Sequence, residues 1–321
     1  QAIPSFDLVT IQRILPFVTI RKRQIEKENI WSKLKNADHE LLMRTSRTLE
    51  TLEGSVKENG FLGDPYKHFL KYRLSDGNKL KIGLLAEKDT GEEFFTGNNK
   101  SGFDFYAYHL AINDLSTSVK YLVLGDYAVS LGQGLIMQNQ FATGLTSFTT
   151  NVKRNNRTFK NYTSRNEANF FRGIGTTLQL SPQWTTHIFA SMKSISCTLR
   201  DYDDDGIDES FSSIDISGNH RTASEIAKKD QIKRSSVGGS LEHNLKNGNI
   251  GFNLLLDHFD KTLDPLNRPD NIFDKPTHAF INGSIDYSFY LKNANLFGET
   301  AYSDNGGFAH IVGLLMGLDP K

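Results

Sequence analysis

An acidic run between positions 201 and 209 has the residue types and the spacing of an ion-binding loop. Its alternating carboxylates precede Gly206, an order that supplies the oxygen ligands and the sharp turn of a calcium loop. The candidate ligands are Asp201, Asp203, Asp205 and Glu209. Position twelve, where an EF-hand carries its bidentate glutamate, is Ser212, and no flanking helices are evident. The run therefore predicts either a calcium loop or an acidic loop that is only solvated.

A second candidate site follows, where an imidazole, a cation and an acid are close in sequence. His220, Arg221 and Glu225 are expected to lie in a loop that could bind a ligand or a partner. The alternative is local, because Thr222 followed three residues later by Glu225 is typical of a capping box on a short helix through Ala227. Of the two roles, the sequence favours capping.

Motifs of the common enzyme classes are absent from the sequence. There is no Gly-x-Ser-x-Gly elbow, no His-Glu-x-x-His pair and no phosphate-binding loop. Gly132 and Gly134 lack the third glycine and the distal acid of a dinucleotide site, so we interpret them as residues that relieve crowding or allow a bulge. The single cysteine, Cys197, is expected to be a packed side chain. The sequence thus favours a protein that is not an enzyme.

Charge and hydropathy exclude two simple interpretations of the chain. The 37 Lys and Arg residues balance 37 Asp and Glu residues, so no global field would draw the protein onto nucleic acid. No stretch approaches the 18 or so apolar residues of a membrane helix. A β-barrel would escape this test, because its strands alternate lipid-facing and lumen-facing residues and average to neutral hydropathy. The alternation of apolar and polar residues along the chain must therefore distinguish a β-barrel from a soluble protein.

In the segments that would position these loops, apolar and polar residues alternate with a period of two residues, as in β-strands. The clearest hairpin runs from Tyr66 to Lys88, with an Asp76-Gly77-Asn78 turn and arms of about ten residues, the length of a tilted membrane-spanning strand. The pattern recurs along the chain. The apolar stripes expected to face lipid include Leu70, Tyr72 and Leu74; Tyr106, Tyr108, Leu110 and Ile112; Tyr121, Val123, Tyr127 and Val129; Ile188, Ala190 and Met192; Phe252, Leu254 and Leu256; and Val312, Leu314 and Met316.

Polar residues alternate with these stripes and are expected to face a wet interior. Asp126, Lys193, Glu242 and Asp257 are the candidates to line a pore or to form a salt-bridge network that plugs it. Short turns alternate with long polar loops, such as Thr143 to Glu167 and Arg200 to Lys233. This asymmetry predicts an all-β fold, an antiparallel transmembrane β-barrel of about a dozen visible strands over residues 39–321. A soluble β-sandwich or β-helix is the alternative.

A series of short motifs runs in order along nearly the whole chain. It comprises Thr10–Phe17, Leu41–Arg44, Thr48–Glu50, Gly83–Asp89, Phe103–Tyr106, Leu124–Tyr127, Gly132–Leu135, Tyr162–Ser164, Asn169–Gly173, Gly218–Thr222 with Glu225, Asn295–Glu299 and Leu318–Lys321. The series resembles a family of Bacteroidota outer-membrane proteins with helix-hairpin-helix repeats before a large barrel. The resemblance implies that residues 1–38 are the tail of the repeats and a linker, a short N-terminal helical segment. It also implies that the barrel continues beyond Lys321, so that the chain is a fragment.

Three functions follow from these patterns. The first is a non-enzymatic component of a Gram-negative outer membrane, in transport or as a subunit of an envelope complex, in contact with lipid, lipopolysaccharide and other envelope proteins. A basic run from Lys153 to Arg157 would suit lipopolysaccharide phosphates. The second, implied by the resemblance, is binding or uptake of DNA, which this chain would bind only weakly without the missing repeats. The third is an outer-membrane hydrolase.

Overall fold

The long strands of the chain pair side by side in one antiparallel sheet, which confirms the predicted fold class. The structure is a computed structural model that describes residues 37–140, 152–154, 157–200, 210–266, 269 and 276–317. The helical segment expected in residues 1–36, the acidic loop 201–209 and residues 318–321 lie outside the described residues. No helix within the described ranges is long and apolar enough to cross a membrane.

Twelve of the described strands form a continuous wall, and each has nine residues or more. They are β1 (Asp38–Arg47), β2 (Tyr66–Asp76), β3 (Leu80–Lys88), β4 (Phe105–Asn113), β5 (Val119–Val129), β7 (Phe171–Gln179), β8 (Trp184–Ile195), β11 (Ile232–Leu245), β12 (Gly248–Leu263), β13 (Thr277–Leu291), β14 (Ala294–Ser303) and β15 (Phe308–Met316). They are hydrogen-bonded in this order. The remaining elements are short: β6 (Phe159–Asn161), β9 (Cys197–Arg200), β10 (Ser210–Ile214), α1 (Glu53–Val56) and α2 (Ala223–Ile226).

Tight turns join neighbouring wall strands at one end of the sheet. The β2–β3 turn reverses at Gly77 with a φ of 51°, which a residue without a Cβ adopts at no steric cost. Asp114 takes a φ of 50° directly after β4, and aspartate tolerates that region better than most residues. The long connections β1–β2, β3–β4, β5–β7, β8–β11 and β12–β13 all lie at the other end. The expected asymmetry between turns and loops is therefore present.

The two faces of the wall have opposite chemistry, and β12 shows it most clearly. Leu254 is 49% exposed, whereas the neighbouring Asn253 and Asp257 are 5% and 6% exposed. The apolar face points away from the protein and the polar face points into it. Large exposed apolar side chains on this outer face include Leu84, Tyr106, Tyr108, Leu124, Ile174, Ile188, Met192, Val237, Leu241, Phe252, Leu254, Leu256, Ile281, Ile285, Val312 and Leu314.

The strand register aligns these faces into continuous rows. On the outer face, Val237, Leu256 and Ile281 lie directly opposite one another on β11, β12 and β13. On the inner face, Ser240, Asn253 and Ser284 form the corresponding row on the same three strands. A one-residue slip would exchange the two rows, so the hydrophobic pattern fixes the register.

One predicted stripe faces the wrong way. Val123, Tyr127 and Val129 on β5 are fully buried in an interior apolar cluster, and Leu124 is the residue exposed outside. The prediction that the stripe faces lipid is wrong because chain between β5 and β7 packs on the inner face of this strand. A strand with apolar neighbours on both sides carries no alternation that could assign its faces.

The wall has two free edges in the described part of the chain. β1 pairs with β2 alone and β15 pairs with β14 alone, so the sheet is not closed. All ten residues of β1 are exposed. The expected partial barrel therefore corresponds to an open, curved wall whose outermost strands have one unpaired side each.

Candidate functional site

The connection between β5 and β7 folds into the concave side of the wall. Its described residues, 130–140, 152–154 and 157–170, are called here the interior segment. Gly125 permits the entry, because its φ is 89° and a Cβ there would collide with the carbonyl oxygen of Tyr108. Pairing between β4 and β5 stops at Gly125, and β6 takes the place of β4 beside the end of β5. Strand β5 thus leaves its neighbour and carries the chain inwards.

The interior segment is fixed to the far side of the wall through Glu299 on β14. The N–H groups of Gln133 and Leu135 donate to Glu299 Oε2 at 2.7 Å and 3.1 Å. The hydroxyl of Ser284 donates to Oε1 at 2.6 Å. Because Glu299 is fully buried, these donors replace the water that its carboxylate would otherwise need.

Gly132 and Gly134 give this turn the shape that binds the carboxylate. Their φ angles are 52° and 91°, so the alternate N–H groups of Gln133 and Leu135 point into one concavity, an arrangement like a backbone nest. A Cβ on Gly132 would lie 2.9 Å from the carboxyl carbon of Glu299. The crowding expected at these glycines thus has a specific cause at Gly132, the close approach of Glu299, whereas a Cβ on Gly134 would meet Gln138 at 3.0 Å.

A basic residue of the interior segment also reaches the wall. Lys153 donates to the hydroxyl of Ser288 at 2.6 Å and lies over the rings of Tyr290 and Phe297. Arg154 donates its N–H to the side chain of Gln133 at 3.1 Å. Lys153 therefore points to the wall and not to an outer loop surface, and contact with lipopolysaccharide stays a prediction.

Of the four charged residues expected to face the interior, three lie towards the end of the wall that carries the long loops, and Glu242 lies towards the tight turns. The three are Asp126, Lys193 and Asp257. Asp126 is fully buried and accepts two hydrogen bonds from Arg172, at 2.7 Å and 2.9 Å. Asp257 accepts a pair of bonds from Arg234, both at 2.9 Å. These carboxylates are held in bidentate ion pairs, the geometry that best offsets burial of a charge.

The other two candidates have weaker partners. Lys193 donates to the backbone oxygens of Glu167 and Ala168 at 2.7 Å and 3.0 Å, and its Nζ lies 3.4 Å from the centre of the Phe170 ring. Glu242 lies 3.3 Å from Nε2 of His187, on the inner face near the tight turns. The structure does not bring the four candidates together into one network.

A cavity of about 380 Å³ opens at the end of the wall that carries the long loops. It is lined by the beginning of β4, the end of the interior segment and the connection between β8 and β11. Charged groups of both signs face it: Asp104, Glu167, Arg172, Lys193, Asp215, His220, Lys229, Asp230 and Arg234. Its volume lies within the range of small-ligand pockets.

Beside this cavity, His220 meets two acids that sequence reasoning did not single out as a site. His220 Nδ1 lies 2.6 Å from Oδ2 of Asp104, and the N–H of His220 donates to Glu92 at 3.1 Å. Glu92 and Asp104 precede β4, whereas His220 precedes α2, so the cluster ties two long loops together. One nitrogen and two carboxylate oxygens lie within 4.8 Å of one another and could hold a metal ion.

Burial affects the pKa values of the acids in this cluster and of Glu167 near it. Burial, with the nearby Asp104 carboxylate, raises the pKa of Glu92 to about 7. Burial and the charges of Asp104 and Glu92 raise the pKa of Glu167 to about 9. Burial would also raise the pKa of Asp104, but hydrogen bonds from His220 and Lys229 outweigh it and hold that pKa below its ordinary value. Asp104 is therefore the anion of the group.

The remaining loop candidates, Arg221 and Glu225, form the local structure that the alternative described. Thr222 is the N-cap of α2, its hydroxyl accepts the N–H of Glu225, and the Glu225 side chain accepts the N–H of Thr222. Arg221 donates to Glu225 Oε1 at 2.8 Å. The two residues thus hold the loop in place, and only His220 of the three lines the cavity. Ligand binding by these loop residues stays a prediction.

Of the residues that line the cavity, His220 and Lys193 were candidates from the sequence, whereas the other lining residues and Glu299 were not. Glu299 and Gln133 are 166 residues apart, and no spacing rule connects them. The glycines at 132 and 134 were the one available signal, because two closely spaced glycines are typical of a nest as well as of a bulge. The candidate calcium ligands from Asp201 to Glu209 lie outside the described residues, so their site stays a prediction.

Comparison with known proteins assigns no family to the chain. No family model matches the chain, and no curated protein matches it. Among solved structures, similarity is found to the outer membrane channel DcaP of Acinetobacter baumannii, with a TM-score of 0.30 and 10% sequence identity. The match covers 85% of this chain and 69% of that chain. The resemblance to the Bacteroidota family stays a prediction.

Proposed function

We propose that the chain is part of an outer-membrane β-barrel of a Gram-negative bacterium and acts there as a non-enzymatic component, with the interior segment as a plug. The proposal rests on the inverted faces of the wall: apolar side chains outside, serine, asparagine and acidic side chains inside. A soluble sheet buries its apolar rows, because burying apolar area stabilises the fold by about 25 cal/mol per Å². Here the exposed rows cross many strands and form the patch that a lipid environment requires.

The length of the strands supports the same proposal. A tilted strand needs about 9–11 residues to cross the hydrocarbon core. Each wall strand reaches nine residues or more, and all tight turns between β2 and β14 lie at one end. Unpaired edges are not tolerated in hydrocarbon, so we expect β1 and β15 to be paired in the membrane, with each other or with further strands.

The interior segment helps to distinguish a barrel that serves transport from one that acts as a scaffold. It crosses the concave side from β5 to β14 and is held there by Glu299, so the passage beside the wall is obstructed. A barrel of this kind serves transport only when the plug moves, and otherwise acts as a scaffold in an envelope complex. The DNA-binding alternative depends on the helix-hairpin-helix repeats that the resemblance implies, and it stays a prediction. Residues 1–36, which would belong to the tail of those repeats, lie outside the described ranges.

The test is to ask which face of β12 meets lipid. Cysteine is introduced by Leu254→Cys or, as the matched neighbour, Asn253→Cys; the native Cys197 is buried. After spin labelling of the full chain in lipid vesicles, oxygen dissolved in the bilayer should relax the label at position 254 strongly. A water-soluble nickel complex should not reach it. Position 253 should be shielded from oxygen.

Two outcomes would refute the proposal. One is equal access of the nickel complex to position 254 and to exposed loop positions. The other is a folded, monodisperse protein in water without detergent, because the apolar rows would then have no medium to face.

A further inference from the structure

We propose that Glu92, Asp104 and His220 bind one divalent transition-metal ion, of which Zn²⁺ is the closest fit, and that the ion joins two long loops beside the cavity. The proposal is independent of the membrane location argued above. It rests on one donor nitrogen and two carboxylate oxygens that lie within 4.8 Å of one another at buried positions. Mixed imidazole and carboxylate donors suit Zn²⁺ and its neighbours, whereas Ca²⁺ takes oxygen ligands only.

Asp104 presents its Oδ2 to the site, and other donors satisfy its Oδ1. Its Oδ1 accepts from Lys229 Nζ at 2.7 Å and from Asn99 Nδ2 at 2.8 Å. Among the described residues, the hydrogen-bond partner of its Oδ2 is Nδ1 of His220, at 2.6 Å. This is the arrangement of a monodentate carboxylate ligand whose second oxygen is fixed by neighbouring donors.

A proton now lies where the ion would bind. The 2.6 Å contact between Asp104 and His220 requires one shared proton. In a tetrahedral zinc site the two donor atoms would be about 3.3 Å apart, because each lies about 2.0–2.1 Å from the metal. The two loops would have to separate by less than about 1 Å, and the displaced proton would leave through the cavity.

His220 is oriented to donate its Nδ1 lone pair. Its Nε2 lies 3.4 Å from the hydroxyl of Ser196, so Nε2 can carry the remaining ring proton and donate it there. Metal-binding histidines are held in this way by an acceptor on the second nitrogen. His220 is only 6% exposed, so its ring has little freedom to turn away.

Glu92 is fixed from both sides. Its Oε1 accepts the N–H of His220 at 3.1 Å and its Oε2 accepts the N–H of Asp89 at 2.7 Å. Each oxygen keeps a lone pair for an ion.

Access and coordination number are consistent with an ion. Asp104, His220 and Glu167 line the cavity of about 380 Å³, so an ion can enter from the loop end of the wall. Three protein ligands leave a fourth position, which water or the Glu167 carboxylate would fill. The competing interpretation is a clamp held by a proton alone, with the same hydrogen bonds and no ion.

The experiment is a titration of the full chain, in detergent and freed of metal by a chelator, with Co²⁺ and then Zn²⁺. We expect one Co²⁺ per chain, a visible absorption band typical of low-coordinate Co²⁺ with a nitrogen ligand, and its loss when Zn²⁺ but not Ca²⁺ is added. Asp104→Asn and His220→Gln should each weaken Zn²⁺ binding at least about tenfold. Asp230→Asn should leave it unchanged, because Asp230 lines the same cavity without a donor in the cluster, and asparagine tolerates its φ of 52°.

Three results would overturn the proposal. The first is no stoichiometric uptake of Co²⁺ or Zn²⁺ by the unmodified chain, a result that needs no variant and leaves the proton clamp. The second is unchanged affinity in both variants. The third is loss of the absorption band in Asp203→Asn, which would place the ion in the acidic run 201–209.

Discussion

The carboxylate of Glu299 has no access to water, so its burial is tolerated only because three donors replace the solvent. Two of these donors are backbone N–H groups of the interior segment. Loss of either partner therefore leaves buried polar groups of the other partner without a hydrogen bond. Removing the carboxylate strands donors in the segment, and removing the segment strands a buried charge in β14.

We expect Glu299→Gln to release the interior segment from β14. The amide places a donor where Gln133 and Leu135 present N–H groups, and lost hydrogen bonds to a charged group cost about 1.5–3 kcal/mol. Amide hydrogen exchange of residues 131–137 should then accelerate about tenfold to a hundredfold. Glu242→Gln is the matched control on the same inner face. Equal exchange in the two variants would contradict the assignment of Glu299.

Gly132→Ala tests the same contact from the other side. The new Cβ would meet the Glu299 carboxylate at 2.9 Å and would also be strained at a φ of 52°. Gly77→Ala separates the two effects, because Gly77 has a φ of 51° and nothing within 4 Å of its Cβ position. We expect faster exchange at residues 131–137 in Gly132→Ala only. Combined with Glu299→Gln it should add little, because both changes break one interaction.

The strands were predictable where one face meets a polar interior and the other does not. On β12, alternating Phe252, Leu254 and Leu256 with Asn253 and Asp257 predicted the correct faces. On β5 the interior segment supplies apolar partners, so Val123 and Tyr127 read as an outer stripe although they are buried inside. What failed was therefore not the detection of strands but the assignment of faces where a distant segment decides the environment.

The short helix α2 should depend on pH through its capping box. Burial would raise the pKa of Glu225, but hydrogen bonds from Arg221 outweigh it and hold that pKa below its ordinary value. A carboxylate with a lowered pKa in the folded state stabilises the fold above its ordinary pKa, and that contribution is lost as the pH falls through the folded value. Protection of the amide of Ala227 from exchange should therefore fall below about pH 4.5.

Glu225→Gln provides the reference for this pH effect. The variant should show weaker protection of Ala227 at neutral pH and no further loss attributable to position 225 on acidification. Thr222→Ala should weaken the cap at every pH by about 0.5–2 kcal/mol, because it removes a neutral hydroxyl. The same acid-dependent loss in Glu225→Gln as in the unmodified chain would assign the titration to another group.

For the protein as a whole, the outer face determines the medium in which it is stable. Leu254→Arg places a charge near the middle of β12, and we expect a loss of about 2–4 kcal/mol in the free energy of unfolding from bilayers. His258→Arg, on the same face but closer to the loop end, should cost about 0–1 kcal/mol. Equal losses at the two positions would show that depth in a membrane is not what matters.

Every wall strand is hydrogen-bonded to the strands next to it along the chain, apart from short excursions such as β6. Neighbours in the wall are therefore also neighbours in the sequence, whereas the Glu299 contact joins distant parts of the chain. The nest at Gly132 follows β5, whereas its carboxylate lies on β14, 166 residues after Gln133. A chain truncated before Glu299 would therefore keep the nest as an empty anion receptor, and under the proposed function we expect its interior to be left unobstructed.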